Sequence, residues 1–428
     1  MRRPALVKVW TIGKLVPAVF LGLLLTGCVS HKQYRTSHDP CNASAKSNAC
    51  ETAILEETKD YVLGFVEFDD QGWLWSQQQL KTVLDRIYAD DYKQGLLITV
   101  FVHGWKHNAS FNDSNVEMFR KNLAILSRIE RMAARKEGRP SRKVFGVYVG
   151  WRGLSQNVAL VKNVTFWERK NTAHEVGRSG LTELFVRLED IRNNSRILHR
   201  DDRKQTQLII VGHSFGGAAT YSALAPLLVE RMIQTIDSKG DAHQPRGFGD
   251  LVVLVNPAFE AARYGVLQDV AQRTSFFTNQ PVNLAIFTSK TDQATKVAFP
   301  IGRGFSTAFE KHQSGLQRRA NRTAVGHFAP YITHDLIARE DTGLDLNEEI
   351  EASSAKVVAL KSNIKKSAER KPVQFSSATL EPRKSDQNPY MPLYVVSVDS
   401  KIIPDHNKID SRAFLTFLRE FLLSYSAE

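Results

Sequence analysis

Cysteine is scarce in this chain, with three in 428 residues, Cys28, Cys41 and Cys50, and no catalytic thiol is implied. Long apolar runs are scarce as well. The stretch from Leu15 to Leu25 is too short to cross a bilayer as a mature helix, which takes about 20 residues. No segment repeats at a fixed period, so a repeat array is excluded. Lys and Arg outnumber Asp and Glu by 57 to 45, a formal charge of +12, yet they are dispersed among the acids. No nucleic-acid motif accompanies them, and a solvated surface is the reading they support. His103 and His107 stand at i, i+4, but no Glu follows His103 and the context is a loop. No metal site and no cofactor are expected from them.

The N-terminus carries a pattern. Arg2, Arg3, Lys8 and Lys14 precede the Leu15–Leu25 stretch, which closes in Leu25-Thr26-Gly27-Cys28. A basic head, a short apolar middle and small residues at the exit describe an export signal. Its end resembles the lipobox of bacterial lipoproteins, which implies that residues 1–27 are removed and that Cys28 becomes an acylated first residue. An ordinary signal peptide or an anchor helix is the alternative. Loss of residues 1–27 lowers the charge from +12 to +8, which suits residence beside anionic headgroups. More than one acyl chain on Cys28 would hold the protein at a membrane. Val29 stands where some Gram-negative species use an aspartate for inner-membrane retention, which points to the outer membrane, facing the periplasm. Cys41 and Cys50, nine residues apart in an oxidising compartment, are expected to form a disulfide. Residues 28–58 read as a polar tether and 59–428 as one domain.

Within that domain short apolar runs alternate with amphipathic segments. Strands are expected at Tyr61–Phe68, Leu96–Val102, Val144–Val149, Leu208–Val211, Leu251–Val255, Val282–Thr288 and Leu393–Val398. The near-continuous apolar character of Leu96–Val102 is that of a strand buried on both faces of a parallel sheet. Ser114 and Glu117 read as a capping box for a helix whose inner face carries Val116, Phe119, Leu123 and Leu126, with Gly138 as its stop. Leu181, Leu184, Leu188 and Ile191 mark another helix, and Phe414, Leu418, Phe421 and Leu422 a closing one. Pro226 is expected to kink or split the helix it lies in. Residues 341–389, rich in Ser, Lys, Glu and Ala, read as a charged, solvated insertion, helical only near Val357–Lys365. The alternation predicts an α/β fold, a mostly parallel central sheet with helices on both faces.

The chemistry centres on Gly212-His213-Ser214-Phe215-Gly216, which follows an apolar strand and opens into Gly217-Ala218-Ala219. This is a G-x-S-x-G nucleophile elbow in strand–turn–helix context. Such a turn needs glycine where a Cβ would strike neighbouring backbone, and it lifts the Ser214 hydroxyl above the sheet. Reactive groups in parallel sheets gather at the carboxyl ends of strands, where His103, Ser214, Asn256 and Asp292 all fall.

On His103-Gly104, the elbow, and an acid and a histidine downstream, the chain resembles the α/β-hydrolase superfamily over residues 61–428. Within it, the chain looks like bacterial esterase-like lipoproteins. The resemblance implies an α/β-hydrolase fold with Ser214 as nucleophile, His406 as base and Asp292 as orienting acid. Among the downstream histidines, His312, His327, His334 and His406, only His406 lies between the last strand and the closing helix, where the family places its base. His327 and His334 stay open as alternatives, although Asp292 and His406 are 114 residues apart. Glu260 is the alternative acid, and Asp399 and Asp405 read as loop residues. The backbone N–H groups of Phe215 and Trp105 are expected to form the oxyanion hole. Trp105, Phe111, Trp151 and Trp167 are candidates for an acyl pocket or for core. The implied activity is hydrolysis of a small ester, thioester or lipid-like substrate. Acyl transfer, or an inactive envelope binding scaffold, is the competing reading.

Overall fold

Branched apolar residues buried on both sides form the middle of a parallel sheet, and the strands of this chain do so over most of its width. The computed structural model describes residues 32–43, 48–91, 93–151, 162–199, 205–234, 246–307, 310–341, 343–364, 371–383, 388 and 390–426. The expected export signal and Cys28 lie outside them. Strands β1 (Cys41–Asn42), β2 (Leu55–Glu57), β3 (Tyr61–Glu67), β4 (Leu96–Val102), β5 (Lys143–Gly150) and β6 (Gln207–His213) come first. They are followed by β7 (Leu251–Val255), β8 (Leu284–Ser289), β9 (His334–Ala338), β10 (Val373–Gln374), β11 (Ala378–Pro382) and β12 (Leu393–Val398). Together they make one 12-stranded sheet in the order β1-β2-β3-β5-β4-β6-β7-β8-β12-β9-β11-β10. From β3 to β9 every neighbouring pair is parallel. The β2–β3, β9–β11 and β10–β11 pairs are antiparallel, so the sheet is mixed and mostly parallel.

Helices cover both faces. On one side α1 (Gln77–Asp91), α3 (Lys162–Arg178), α4 (Gly180–Leu198), α5 (Phe215–Gln234) and α6 (Ala261–Gln272) contribute to a core with Val62, Ile98, Phe145 and Ile210. On the other, α2 (Ser114–Glu137), α9 (Leu346–Ile364) and α10 (Arg412–Tyr425) pack over Phe65, Phe101, Ile209 and Phe287. The short α7 (Phe299–Ser306) and α8 (Gly315–Arg322) pack against each other, and α8 also packs on α6. Leu181, Leu184, Leu188 and Ile191 are fully buried, the face that their spacing sets. Among the described residues no helix is long and apolar enough to cross a membrane.

Four expectations need correction. Residues 32–43 and 48–58 are not a loose tether. Cys41 and Cys50 are disulfide-bonded, β1 and β2 extend the sheet, and Arg35 is fully buried. Its guanidinium donates to Glu56 at 2.9 Å, to the Cys50 carbonyl at 2.8 Å and to the Ala109 carbonyl at 2.7 Å. The segment looks solvated in composition because its polar groups find their partners far along the chain. The cap of α2 is Asp113, whose carboxylate accepts from the Asn115 N–H, so the Ser114/Glu117 box does not form. Pro226 does not split its helix: α5 continues through it, and the proline lies on the exposed side, where water can serve the carbonyl that the ring leaves unpaired. Finally, residues 341–389 include α9, which packs on α2 and α10, and strands β10 and β11. The buried side of α9 is tied to α10: Glu349 accepts from Arg419 at 2.9 Å, and Ser353 donates to Glu420 at 2.8 Å.

Candidate active site

The turn between β6 and α5 is one residue wide. Ser214 occupies it with φ +55°, a left-handed conformation that a non-glycine residue holds at a cost of about 1–3 kcal/mol. Backbone bonds fix that geometry. The Ser214 N–H donates to the Val255 carbonyl at 2.9 Å, and its own carbonyl accepts from Ala218 and Ala258, both at 3.1 Å. The glycines are steric necessities. A Cβ on Gly216 would lie 2.2 Å from the Val102 oxygen and 2.3 Å from that of His103. A Cβ on Gly104 would meet the Ser214 Cβ at 2.9 Å. Strand β4 and its following loop are thereby pressed against the elbow. Phe215 opens α5 beside Ser214, with the positive end of the helix dipole there. Trp105 follows Gly104, half-buried against the core, with the Lys106 ammonium 4.9 Å from its ring centroid.

Three side chains expected to act together meet at this point. The Ser214 hydroxyl lies 2.7 Å from His406 Nε2, and His406 Nδ1 lies 2.8 Å from Asp292 Oδ2. A carboxylate only accepts, so Nδ1 carries the proton and Nε2 is left to accept from the serine. Asp292 is fully buried. Burial alone would raise its pKa, but the bond from His406, the charge that ring carries when protonated, and two bonds from Thr295 outweigh it and hold the carboxyl below its ordinary value. Those two bonds run from the Thr295 N–H to Oδ1 at 3.0 Å and from the Thr295 hydroxyl to Oδ2 at 2.5 Å.

The other candidates lie elsewhere. His327 stands behind the acid: its Nε2 is 2.9 Å from the Thr295 hydroxyl. That hydroxyl spends its proton on Asp292, so His327 is the donor. Burial lowers the His327 pKa to about 4, and the ring is neutral at pH 7. The His334 ring lies tilted against Tyr394, centroids 4.2 Å apart, and bonds Thr333, and His312 bonds Asn321. Glu260, at the start of α6, pairs with Lys170, Arg263 and Arg303. Against its burial, Lys170 and the two arginines pull its pKa down to about 2. Asp399 and Asp405 accept from nearby loop N–H groups. His103 is a structural residue: Nδ1 donates to the Gly104 carbonyl at 2.8 Å, Nε2 accepts from the Trp151 N–H at 3.1 Å, and the ring stacks on Trp151. Trp151 is thus core, and Phe111 packs beside Arg120 and the disulfide. The Trp167 side chain lies outside the described residues. His107 bonds Asp113 rather than pairing with His103, and among the described residues no group of three or more His, Cys, Asp or Glu could hold a metal.

One arrangement has no signature in the sequence. The loop carrying His406 is fastened by its carbonyls. The Ile403 carbonyl accepts from Ser289 Oγ at 2.6 Å and that of Pro404 from Thr291 Oγ1 at 2.7 Å. The His406 carbonyl accepts from both Asn256 Nδ2 and His213 Nε2, each at 3.0 Å. Asn256, at φ +46°, also accepts the Ser289 N–H at 2.9 Å, which ties the ends of β7 and β8 to this loop. Burial, with His406 nearby, lowers the His213 pKa to about 3, so the ring serves as a neutral donor. The only hint in the chain is that Asn256 directly follows one apolar strand and Ser289 ends another, with Thr291 two residues on.

Compared with protein-family models, curated proteins and solved structures, this chain finds no match.

Proposed function

We propose that the protein is a membrane-anchored serine hydrolase of the α/β-hydrolase type, acting on carboxylic esters or thioesters. One observation carries the reading: Ser214, His406 and Asp292 form a continuous hydrogen-bonded chain, with each histidine nitrogen given one partner. A serine hydroxyl is a weak nucleophile until a neutral imidazole stands ready to take its proton. In the proposed reaction Ser214 Oγ bonds to the carbonyl carbon while its proton passes to His406 Nε2. The imidazolium so formed is stabilised by buried Asp292, which keeps its negative charge. The tetrahedral oxyanion would be met by the N–H groups of Phe215 and Trp105. His406 then protonates the departing alcohol or thiol, leaving acyl-Ser214. Water, deprotonated by the same nitrogen, attacks the acyl carbon and regenerates the serine.

Supporting the fold part of the proposal are the parallel run β3-β5-β4-β6-β7-β8-β12, the elbow after β6, and the acid and base after β8 and β12. Export and acylation at Cys28 rest on the N-terminal pattern alone. The test is labelling of the full-length protein by a fluorophosphonate probe. Wild type takes the label at Ser214, and Ser214→Ala does not. A folded wild type that stays unlabelled and leaves p-nitrophenyl esters intact would instead mark a binding scaffold.

A further inference from the structure

We infer that the face of the domain carrying Ser214 is turned toward the lipid surface, and that the substrate is a long-chain ester drawn from that surface. The inference rests on the anchored-hydrolase reading and deepens it. Its basis is the small number of residues between Cys28 and the folded domain. The backbone N–H groups of Tyr34 and Arg35 donate to the Glu67 carboxylate at 3.0 and 2.8 Å, and Arg35 is fully buried. The chain is therefore fixed to the domain from Tyr34 onward. Between Cys28 and Tyr34 lie six residue steps, a reach of at most about 21 Å.

Where that leash begins decides the orientation. Glu67 ends β3, and β3 is parallel to the strand series that leads to the elbow. The leash thus leaves from the same end of the sheet as Ser214, three strand spacings away, about 14 Å. Strand β3 has seven residues, about 23 Å from end to end. A leash of about 21 Å would be spent merely running down the strand, before passing the loops below it. The opposite face of the domain cannot rest on the membrane under that restraint.

The surface near the exit has the chemistry of a bilayer interface. Beyond Glu67 the chain makes a tight turn, closed by the Phe68–Leu74 bridge, with Trp73 on its returning limb, 72% exposed. The Trp75 N–H returns to the Glu67 carbonyl at 3.0 Å, which places the turn directly beside the leash. Tyr34 is half-buried, with the Lys32 ammonium 5.6 Å from its ring centroid. Indole and phenol rings favour the headgroup level, where one edge is apolar and the other wet. Asp69 and Asp70 on the same turn make ring insertion, rather than headgroup charge, the attraction. Past the triad acid, Val297 and Ile301 are exposed beside Lys296, a second patch of the same character at this end of the sheet.

The test uses full-length acylated protein in vesicles of phosphatidylethanolamine and phosphatidylglycerol, with and without brominated acyl chains. Bromine quenches a component of tryptophan emission in wild type that Trp73→Phe lacks. A flexible insert of about 24 Gly/Ser residues between His31 and Lys32, spanning about 27 Å, removes most of that quenching. The insert also lowers turnover of a long-chain fluorogenic ester carried in the same vesicles about tenfold, since it dilutes the site at the surface. Turnover of dissolved p-nitrophenyl butyrate stays unchanged. Quenching that persists with the insert, or that equals wild type in Trp73→Phe, overturns the orientation. So does Cys28→Ser protein that stays on the vesicles. Quenching that follows the leash in a protein with no esterase activity and no fluorophosphonate label supports the orientation, and sinks the hydrolase reading alone.

Discussion

His406 and His327 are both within reach of Asp292, yet their bonds assign them different work. His406 spans serine and acid, whereas His327 touches only the Thr295 hydroxyl behind the acid. His406→Ala is expected to lower kcat about a thousandfold or more, as loss of a triad member does. His327→Ala, which removes only a partner of a partner, costs less than about tenfold. Steady-state kinetics on p-nitrophenyl butyrate check both, and the reverse ranking would refute the assignment. Asn256 holds the proposed base, His406, through that residue's backbone carbonyl. Asn256→Asp keeps a residue that tolerates positive φ but sets a carboxylate oxygen against the His406 carbonyl. A misplacement of about 1 Å costs on the order of 100-fold in rate. The expected result is a fall of about 10- to 100-fold in kcat with little change in KM. Unchanged kcat in the folded variant would remove Asn256 from the positioning role.

At the scale of elements, β1 and β2 close one margin of the sheet, and the chain around them is held by buried charge. Arg35 and Arg120 share Glu56, and Gln79 joins Glu67 to the Arg35 carbonyl. Arg35→Ala leaves Glu56 short of a partner, and breaking a buried pair costs about 3–5 kcal/mol. Urea unfolding of Arg35→Ala against wild type measures it, and a loss under about 1 kcal/mol would show that the pair behaves like an exposed one. This segment also marks where reading the chain stops. Leu96–Val102 and Leu251–Val255 are legible because both faces are apolar, so composition alone identifies them. Arg35 is not, since its partner Ala109 is 74 residues away. Outer strands β9 and β11 hide for a related reason: their partly exposed faces carry Asp335 and Glu381, which dilute the apolar signal. Within the site, Ser214 announces itself by the spacing of its glycines. His406 is found only by its place after the last strand. The His213 and Asn256 donors on its carbonyl, 193 and 150 residues distant, leave no local trace.

For the whole molecule, four buried histidines set the response to acid. Burial lowers His103 and His327 to about 4 and His174 and His213 to about 3. An unfolded histidine titrates near about 6.5. Unfolding below that pH therefore takes up protons that the folded chain refuses. The stability is fully present above about pH 6.5 and is lost as pH falls toward 4, at up to about 1.4 kcal/mol per pH unit for each ring. Glu67 and Glu420, raised by burial, work in the opposite direction at lower pH. Urea midpoints are expected to drop steadily between pH 7 and pH 5, and a flat profile would mean that these rings are not shielded.

Among the described residues the sheet ends at each rim on a strand of two residues, β1 on one side and β10 on the other. A strand that short offers a passing chain almost no ladder to extend. Copies brought close together would therefore find little to extend by strand addition at either rim.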